Sequence, residues 1–212
     1  MKLYLILTRF LFLPKIARVT AMAAYSLFLV VCSCQGLDPA KPDSSGLSNA
    51  AVPQVTLVPC RVDSEEFRGY LSLIHEHINL FRSANGKTEL GLDEVLSAAM
   101  MQSAYNAEKL TSLDSSNFVN EYSHYMQQNS CDIDSSWAPI FELPAYIDAG
   151  RDGAQSGSGS LEYWTTDVTE FSDQYKEILL RDNILSIGLG ISFDTKNPGK
   201  AYVKLVGVGQ AP

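Results

Sequence analysis

An α+β layered domain is predicted by three observations. Two amphipathic helices follow one another over residues 66–110. A short strand and a third helix come after them. The chain then closes on two alternating apolar runs separated by a turn. The order helix, helix, strand, helix, hairpin suits a sheet with helices packed on it.

The first helix carries Phe67, Leu71, Ile74, Ile78 and Phe81 at alternating four- and three-residue steps, which draws one stripe down a 3.6-residue helix. Asp63 with Glu66 three residues later predicts a capping box at its start. Asn85-Gly86 predicts its end, since both residues tolerate the left-handed conformation. Burying five such side chains is worth about 1.5–3 kcal/mol each before entropy is subtracted. The second helix is expected to start near Asp93, with Leu96, Ala99, Met100, Ser103, Ala107 and Leu110 on its inner face. Its alanines favour helix and permit close approach of a neighbour.

After a polar loop, Tyr122-Ser123-His124-Tyr125 follows without a clear period. Residues 137–147 are apolar but broken by Pro139 and Pro144, which leaves Ala145-Tyr146-Ile147 as a short strand. Gly150 to Ser160 reads as a flexible loop and Leu161 to Trp164 as a helical turn. Ser172 is expected to cap a helix bearing Tyr175, Ile178 and Leu179. Ile187, Leu189, Ile191 and Phe193 alternate with Gly188, Gly190 and Ser192, a strand with one packed face. Asp194 to Gly199 turns the chain, and Ala201 to Val208 returns as its antiparallel partner.

The 212 residues, 46% hydrophobic and 19% charged, suit one domain with appendages. Net charge is -8. Four of the 16 lysines and arginines lie in residues 1–33, which hold no acid, so the remainder carries 12 basic against 24 acidic side chains. Such a balance repels nucleic acid and anionic surfaces.

Residues 1–33 read as an export signal. The apolar run Val19 to Val31 is about 13 residues, short of the roughly 20 that span a bilayer as a helix. It ends in Val31-Cys32-Ser33-Cys34, which resembles the bacterial lipobox. That resemblance implies cleavage after Ser33 and lipid attachment at Cys34, the membrane being the expected partner; an ordinary secretory signal or an uncleaved anchor is the alternative. Gln35 after the cysteine favours the outer membrane. Residues 34–59, with Pro39, Pro42, Pro53 and Pro59 among Ser, Gly and Asp, read as the lipidated cysteine and a flexible, disordered tether; Val55 to Val58 could form a short edge strand. Residues 60–212 form the domain. With Cys32 removed and Cys34 lipidated, Cys60 and Cys131 remain, an even pair in an oxidising compartment. That predicts a disulfide, against two separate thiols.

The stretch from Glu66 to Val208 resembles the CAP superfamily (cysteine-rich secretory, antigen 5 and pathogenesis-related 1 proteins; SCP domain). His77-Ile78-Asn79-Leu80-Phe81-Arg82 is similar to the family's H-N-x-x-R element with one residue inserted. Leu90, Leu92, Asp93, Leu96, Ala99 and Ala107 follow its second helix, and Ser172 to Ile191 its late helix running into an I-G-x-G strand. The resemblance implies an α-β-α sandwich around a central antiparallel sheet, and a cleft whose two histidines and two acids hold a divalent cation. His124 takes the place of the first histidine, but Tyr175 replaces the second and Ala145 the first glutamate. Asp167 could stand in for the second acid, and Glu142 returns if the loop register shifts. With two of four ligand types gone, no metal or other cofactor is expected, zinc wanting about four donors.

Bland readings compete with each site. His124 is a cleft residue or a surface histidine bonded to a loop carbonyl. His75 and His77, two apart on a helix, face different sides and read as surface residues. Asn79 and Arg82 share a face and read as structural, Arg82 tying the helix to a carboxylate. Tyr175 reads as a packed aromatic. Gly188-x-Gly190 lacks the third glycine of a dinucleotide loop, and the serines from Ser156 to Ser160 lack the spacing of a nucleophile elbow. The chain is therefore expected to be an exported, lipid-anchored and non-catalytic module that binds an envelope component, a protein or a hydrophobic ligand. The alternative is a cleft hydrolase using His124 with Asp167 or Glu142.

Overall fold

The structure is a computed structural model that describes residues 52–113, 118–132, 136–150, 152–166 and 171–210. The signal segment and the lipobox with Cys34 lie outside the described residues, as does Asp167. The described elements are α1 (Glu65–Ala84), β1 (Gly91–Leu92), α2 (Glu94–Leu110), α3 (Phe118–Asn129), β2 (Trp137–Asp148), α4 (Ser156–Thr165), α5 (Ser172–Leu179), β3 (Ser186–Phe193) and β4 (Lys200–Gln210).

The first helix forms where its stripe predicts, with Phe67, Leu71, Ile74 and Ile78 buried and Phe81 half-buried at the end. Its cap is Ser64 rather than Asp63: the Ser64 hydroxyl accepts from the Phe67 amide at 3.4 Å. Asp63 lies one residue too early and pairs with Arg61 at 3.1 Å on the surface. At the other end only Gly86 takes the left-handed conformation, at φ 70°, while Asn85 stays at -102°. The second helix starts at Asp93 as expected, and Asp93 is its cap, accepting from the Leu96 amide at 2.8 Å. Leu110, expected inside, is 76% exposed. The inner position near the end of α2 belongs instead to Glu108, which accepts from the Thr195 hydroxyl at 2.7 Å.

Four strands form one sheet in the order β1-β3-β4-β2. The three long strands are antiparallel, and the two-residue β1 adds in parallel to β3. The terminal hairpin pairs Leu189 with Leu205 and Ile191 with Val203. Its partner β2 is much longer than the three residues expected. Prolines are excluded from central strands because they lack a donor, but β2 is an edge, where they are tolerated. Pro139 sits at a register shift, and the Pro144 carbonyl accepts from the indole of the buried Trp164 at 3.0 Å.

Strand parity sorts the core into two layers. Leu143, Ala145, Ile147, Ile187, Leu189, Val203 and Leu205 meet Phe67, Leu71, Ile74, Trp164 and Leu179 on the face covered by α1, α4 and α5. Val206 and Val208 meet Leu96, Ala99, Met100, Tyr122 and Met126 on the face covered by α2 and α3. The third helix, α3, was hidden from the sequence because its inner stripe is only Tyr122 and Met126. The strand β3 is buried on both faces rather than one. A Cβ on Gly190 would lie 2.1 Å from the Met100 carbonyl and one on Gly188 2.4 Å from Leu96 Cβ, so α2 rests directly on the strand backbone. Where β1 ends, α2 also serves the open edge of β3: the Leu189 amide donates to the Ser97 hydroxyl at 3.2 Å and the Ile191 amide to the Met101 sulfur at 3.3 Å. Gly190→Ala is therefore expected to destabilise by about 3 kcal/mol or more, since the obstruction is backbone that cannot rotate away. Gly69→Ala, in open space on α1, is expected to stabilise by roughly 1 kcal/mol. Urea-unfolding midpoints of the two variants should move in opposite directions.

The stretch from Gly150 to Ser160 is not a flexible loop throughout, since α4 begins at Ser156. Its glycines are packing devices. A Cβ on Gly157 would meet the His77 ring at 2.6 Å and the Leu73 carbonyl at 2.7 Å, which is how α4 lies against α1. Ser172 does not cap α5; Phe171 holds the N-cap position without a side-chain capping bond, and Ser172 is buried inside the first turn. Val55 to Val58 forms no strand with the sheet; Val58 makes a single bridge to Arg61. Within the stretch read as tether, Val52, Val55 and Leu57 lie against the core.

Asp194 organises the β3–β4 turn. Its carboxylate accepts from the amides of Lys196 and Asn197 at 2.8 and 3.1 Å, from the Tyr146 hydroxyl at 2.6 Å and from the Asn197 side chain at 2.8 Å. Burial alone would raise its pKa, but these four donors outweigh it and hold the group at about 2. A depressed carboxylate contributes stability above its unfolded value, near 4, and loses it as pH falls through about 2. Asp194→Asn is expected to cost on the order of 2 kcal/mol at neutral pH, and to flatten the acid limb between about pH 4 and 2. A pH series of thermal midpoints checks both.

Candidate functional site

Among the described residues, those expected to share a cleft are dispersed; Asp167 lies outside them. His124 is exposed on α3, at the rim of a cavity of about 420 Å³ between α2, α3 and the chain at Leu57–Pro59. Tyr175 sits on α5, which packs on the opposite face of the sheet, half-buried beside Phe171 at 6.0 Å between ring centroids. Burial, with Tyr163 nearby, pushes its hydroxyl up. Ala145, in the place of the family glutamate, is fully buried among the residues facing α1 and α4.

Glu142 points to the other face, towards α2 and α3, because it alternates with Leu143. It is held by Lys204, whose Nζ lies 2.8 Å from Oε1 with both side chains 3% exposed. The two residues are diagonal neighbours on β2 and β4, since Glu142 pairs with Val206 and Pro144 with Lys204. Burial pushes the Glu142 carboxyl up, and Glu121 on α3 adds to that, against the pull of Lys204. A carboxylate committed in this way is a poor acid or base for an exposed His124. Among the described residues no group of three or more His, Cys, Asp or Glu side chains is placed to hold a metal ion.

The residues matched to the family's first-helix motif do structural work, and one does it differently than expected. Asn79 clasps the Leu90 backbone from both sides, its Oδ1 accepting from the amide at 2.9 Å and its Nδ2 donating to the carbonyl at 3.1 Å. Arg82 is buried and ties its helix to backbone carbonyls, not to the carboxylate expected. Its Nε donates to the Thr88 carbonyl at 2.8 Å, and its Nη1 to the carbonyls of Leu179 and Arg181. The guanidinium thus caps the C-terminus of α5, where the helix leaves carbonyls unpaired and favours a cation. Burial lowers its pKa although Asp182 lies near; Asp182 itself takes Lys87 at 2.8 Å. His75 and His77 are half-buried rather than free on the surface. His75 Nε2 lies 2.7 Å from the Leu90 carbonyl, and His77 Nδ1 lies 2.9 Å from the Leu73 carbonyl against α4.

Cys60 and Cys131 are joined, with sulfurs 2.08 Å apart. The bond fixes the chain before α1 to the end of α3. The Cys60 amide donates to the Tyr125 hydroxyl at 3.3 Å, so α3 and that segment meet twice. Sequence reasoning passed over Lys204, Asp194 and the amide side chains Gln102, Asn106 and Gln128 beside His124. A lysine between Val203 and Leu205 in an apolar strand was the available signal for the first. Helix-surface amides carry none.

Three layers, with α1, α4 and α5 on one face of the hairpin-centred sheet and α2 and α3 on the other, make an α-β-α sandwich, the architecture that the sequence resemblance implies. Among solved structures the chain is similar to an outer surface protein from Borrelia burgdorferi, with a TM-score of 0.50 and 14% identity, over 73% of this chain and 100% of that one. It is also similar to a cysteine-rich secretory protein from Staphylococcus aureus (TM-score 0.47, 14% identity, 69% of this chain). An extracellular SCP-domain protein from Bacillus anthracis gives 0.46, 14% and 66%. The match spans 40% of each of these last two chains. At such identities the likeness concerns the fold alone. No protein-family model matches the sequence, and no curated protein does.

Proposed function

We propose that this chain is an exported CAP-like module, held at a bacterial membrane by lipid on Cys34, that works by binding and not by catalysis. The observation that carries the second half is the dispersal of the described acid–base candidates, His124, Tyr175 and Glu142. General acid–base chemistry needs its groups within about 3 Å of the proton they move. Here His124 and Tyr175 belong to helices on opposite faces of the sheet, and Glu142 is committed to Lys204 beneath α3. Export is supported by the Cys60–Cys131 bond, since disulfides persist in oxidising compartments. The Borrelia protein of similar fold is described as an outer surface protein, which favours the same reading. Anchoring rests on the lipobox-like residues 31–34, and Gln35 favours the outer membrane.

Metabolic labelling with palmitate tests the anchor. Label is expected in the wild type and lost in Cys34→Ala; equal label in both removes the anchor from this reading. Turnover of simple ester or amide substrates that disappears in His124→Ala would replace the binding role with a hydrolase.

A further inference from the structure

The cavity beside His124 is built from a chemistry that neither the fold nor the dispersed cleft residues account for. Gln102 and Asn106 stand one turn apart on α2, joined by a bond from Gln102 Nε2 to Asn106 Oδ1 at 2.9 Å. Across from them Glu121, His124 and Gln128, at steps of three and four, share one face of α3. The third side is Leu57-Val58-Pro59. That segment cannot swing away, since Cys60 is bonded to Cys131 and its amide to Tyr125. The volume, about 420 Å³, lies within the roughly 300–1,000 Å³ of small-ligand sites.

The wall chemistry narrows the ligand class. Among the described residues the cavity is lined by no lysine or arginine, and the chain carries a net charge of -8, so an anion finds no counter-charge. A long alkyl chain would strip water from the side-chain amides without repaying their hydrogen bonds. A ligand rich in hydroxyls fits both limits. Each amide offers donors and acceptors together, and a carboxylate accepts from two neighbouring hydroxyls. The short apolar side at Leu57 to Pro59 suits the C–H face of a pyranose ring. The geometry points to a neutral saccharide site between α2 and α3, with Gln102 and Glu121 as its principal hydrogen-bonding residues. This deepens the binding-module reading, on which it rests, by naming the ligand class.

The test uses the full chain in a detergent without a sugar headgroup, titrated with maltotriose and with N,N′,N″-triacetylchitotriose. The first is a plain hexose oligomer and the second an N-acetylated one. Calorimetry and saturation-transfer NMR are expected to show saturable binding of at least one. Affinity should fall about tenfold or more in Glu121→Gln, because a bond to a charged group is worth that much, and by about threefold to tenfold in Gln102→Ala, which loses a neutral bond. Gln155→Ala, on the other side of the molecule, should bind as the wild type does. Glu121 is exposed and Gln102 half-buried, neither lies in the core, and unchanged circular dichroism verifies folding. Failure of both trisaccharides to saturate, or equal affinity in wild type and both cavity variants, overturns the site while leaving lipid anchoring and export untouched. Release of new reducing ends from a bound trisaccharide would keep the site and overturn the non-catalytic reading.

Discussion

Lys204→Met is expected to destabilise the domain by about 3–5 kcal/mol, a large share of the roughly 5–15 kcal/mol that holds a domain folded. Lys204 stands in β4 between Val203 and Leu205, and its side chain is 3% exposed. Its ionic partner, Glu142, is equally buried. Taking the cation away strands a carboxylate beneath α3, with Glu121 nearby to repel it. Replacing both, as Glu142→Leu with Lys204→Met, removes the stranded charge, and such apolar swaps are often neutral or stabilising. The double variant should therefore recover most of the loss. A pH dependence separates this from simple loss of packing. Burial already raises the Glu142 pKa, and losing Lys204 raises it further. A carboxylate whose folded pKa lies above its unfolded value binds its proton more tightly in the folded state. Its contribution is then favourable below the unfolded pKa and is lost as pH rises through the folded one. The deficit of Lys204→Met should accordingly shrink between pH 7 and pH 5, while that of a core truncation such as Leu205→Ala should not. Urea midpoints at the two pH values read both. A single-variant cost under about 1 kcal/mol would mean the pair is solvated.

Side-chain period decided what could be read in advance. The first helix has four buried residues in register and α2 an alanine-rich face, so both stood out. The hairpin was legible because Ile187, Leu189, Ile191 and Phe193 alternate. By contrast β2 carries two prolines, which speak against strand unless the segment is already known to be an edge. The Gly/Ser run of α4 has the composition of a linker, yet Gly157 is small because His77 and the Leu73 backbone press on it. The cap of α1 slipped by one residue to Ser64 because neighbouring polar residues are chemically interchangeable until the backbone chooses, whereas α5 starts one residue early at Phe171, an N-cap without a side-chain acceptor, which no capping rule would select. In the candidate site, the disulfide followed from cysteine number and compartment. The partners of Arg82 did not, since backbone carbonyls leave no mark in a sequence. Nor could β2–β4 register, which alone brings Glu142 to Lys204, be read from either strand by itself.

Removing the Cys60–Cys131 bond is expected to have an effect of similar size by a different route. The cysteines are 71 residues apart, and loop closure on that scale is credited with about 4 kcal/mol of unfolded-state entropy. Against this, Cys60 sits at φ 61°, in the left-handed region. A residue held there costs about 1 kcal/mol or more, and the turn can relax once the bond is gone. The net loss in Cys60→Ser with Cys131→Ser is thus about 3 kcal/mol, a fall of roughly 6–12 °C in thermal midpoint for a domain of this size. The loss should also be uneven. The hydrophobic anchor of α1 at Phe67 and Leu71 does not depend on the bond, whereas Leu57 to Pro59 and the last turn of α3 are tied through it. Hydrogen exchange is expected to rise first at residues 57–61 and 126–131, with α1 protected to the global limit. Uniform acceleration across α1, α3 and β4 would mean that the bond supports the whole sandwich equally. A midpoint within about 2 °C of wild type would mean that the closed loop retains its order without it, and that the two-point attachment at Tyr125 and Cys131 is not what holds the cavity wall.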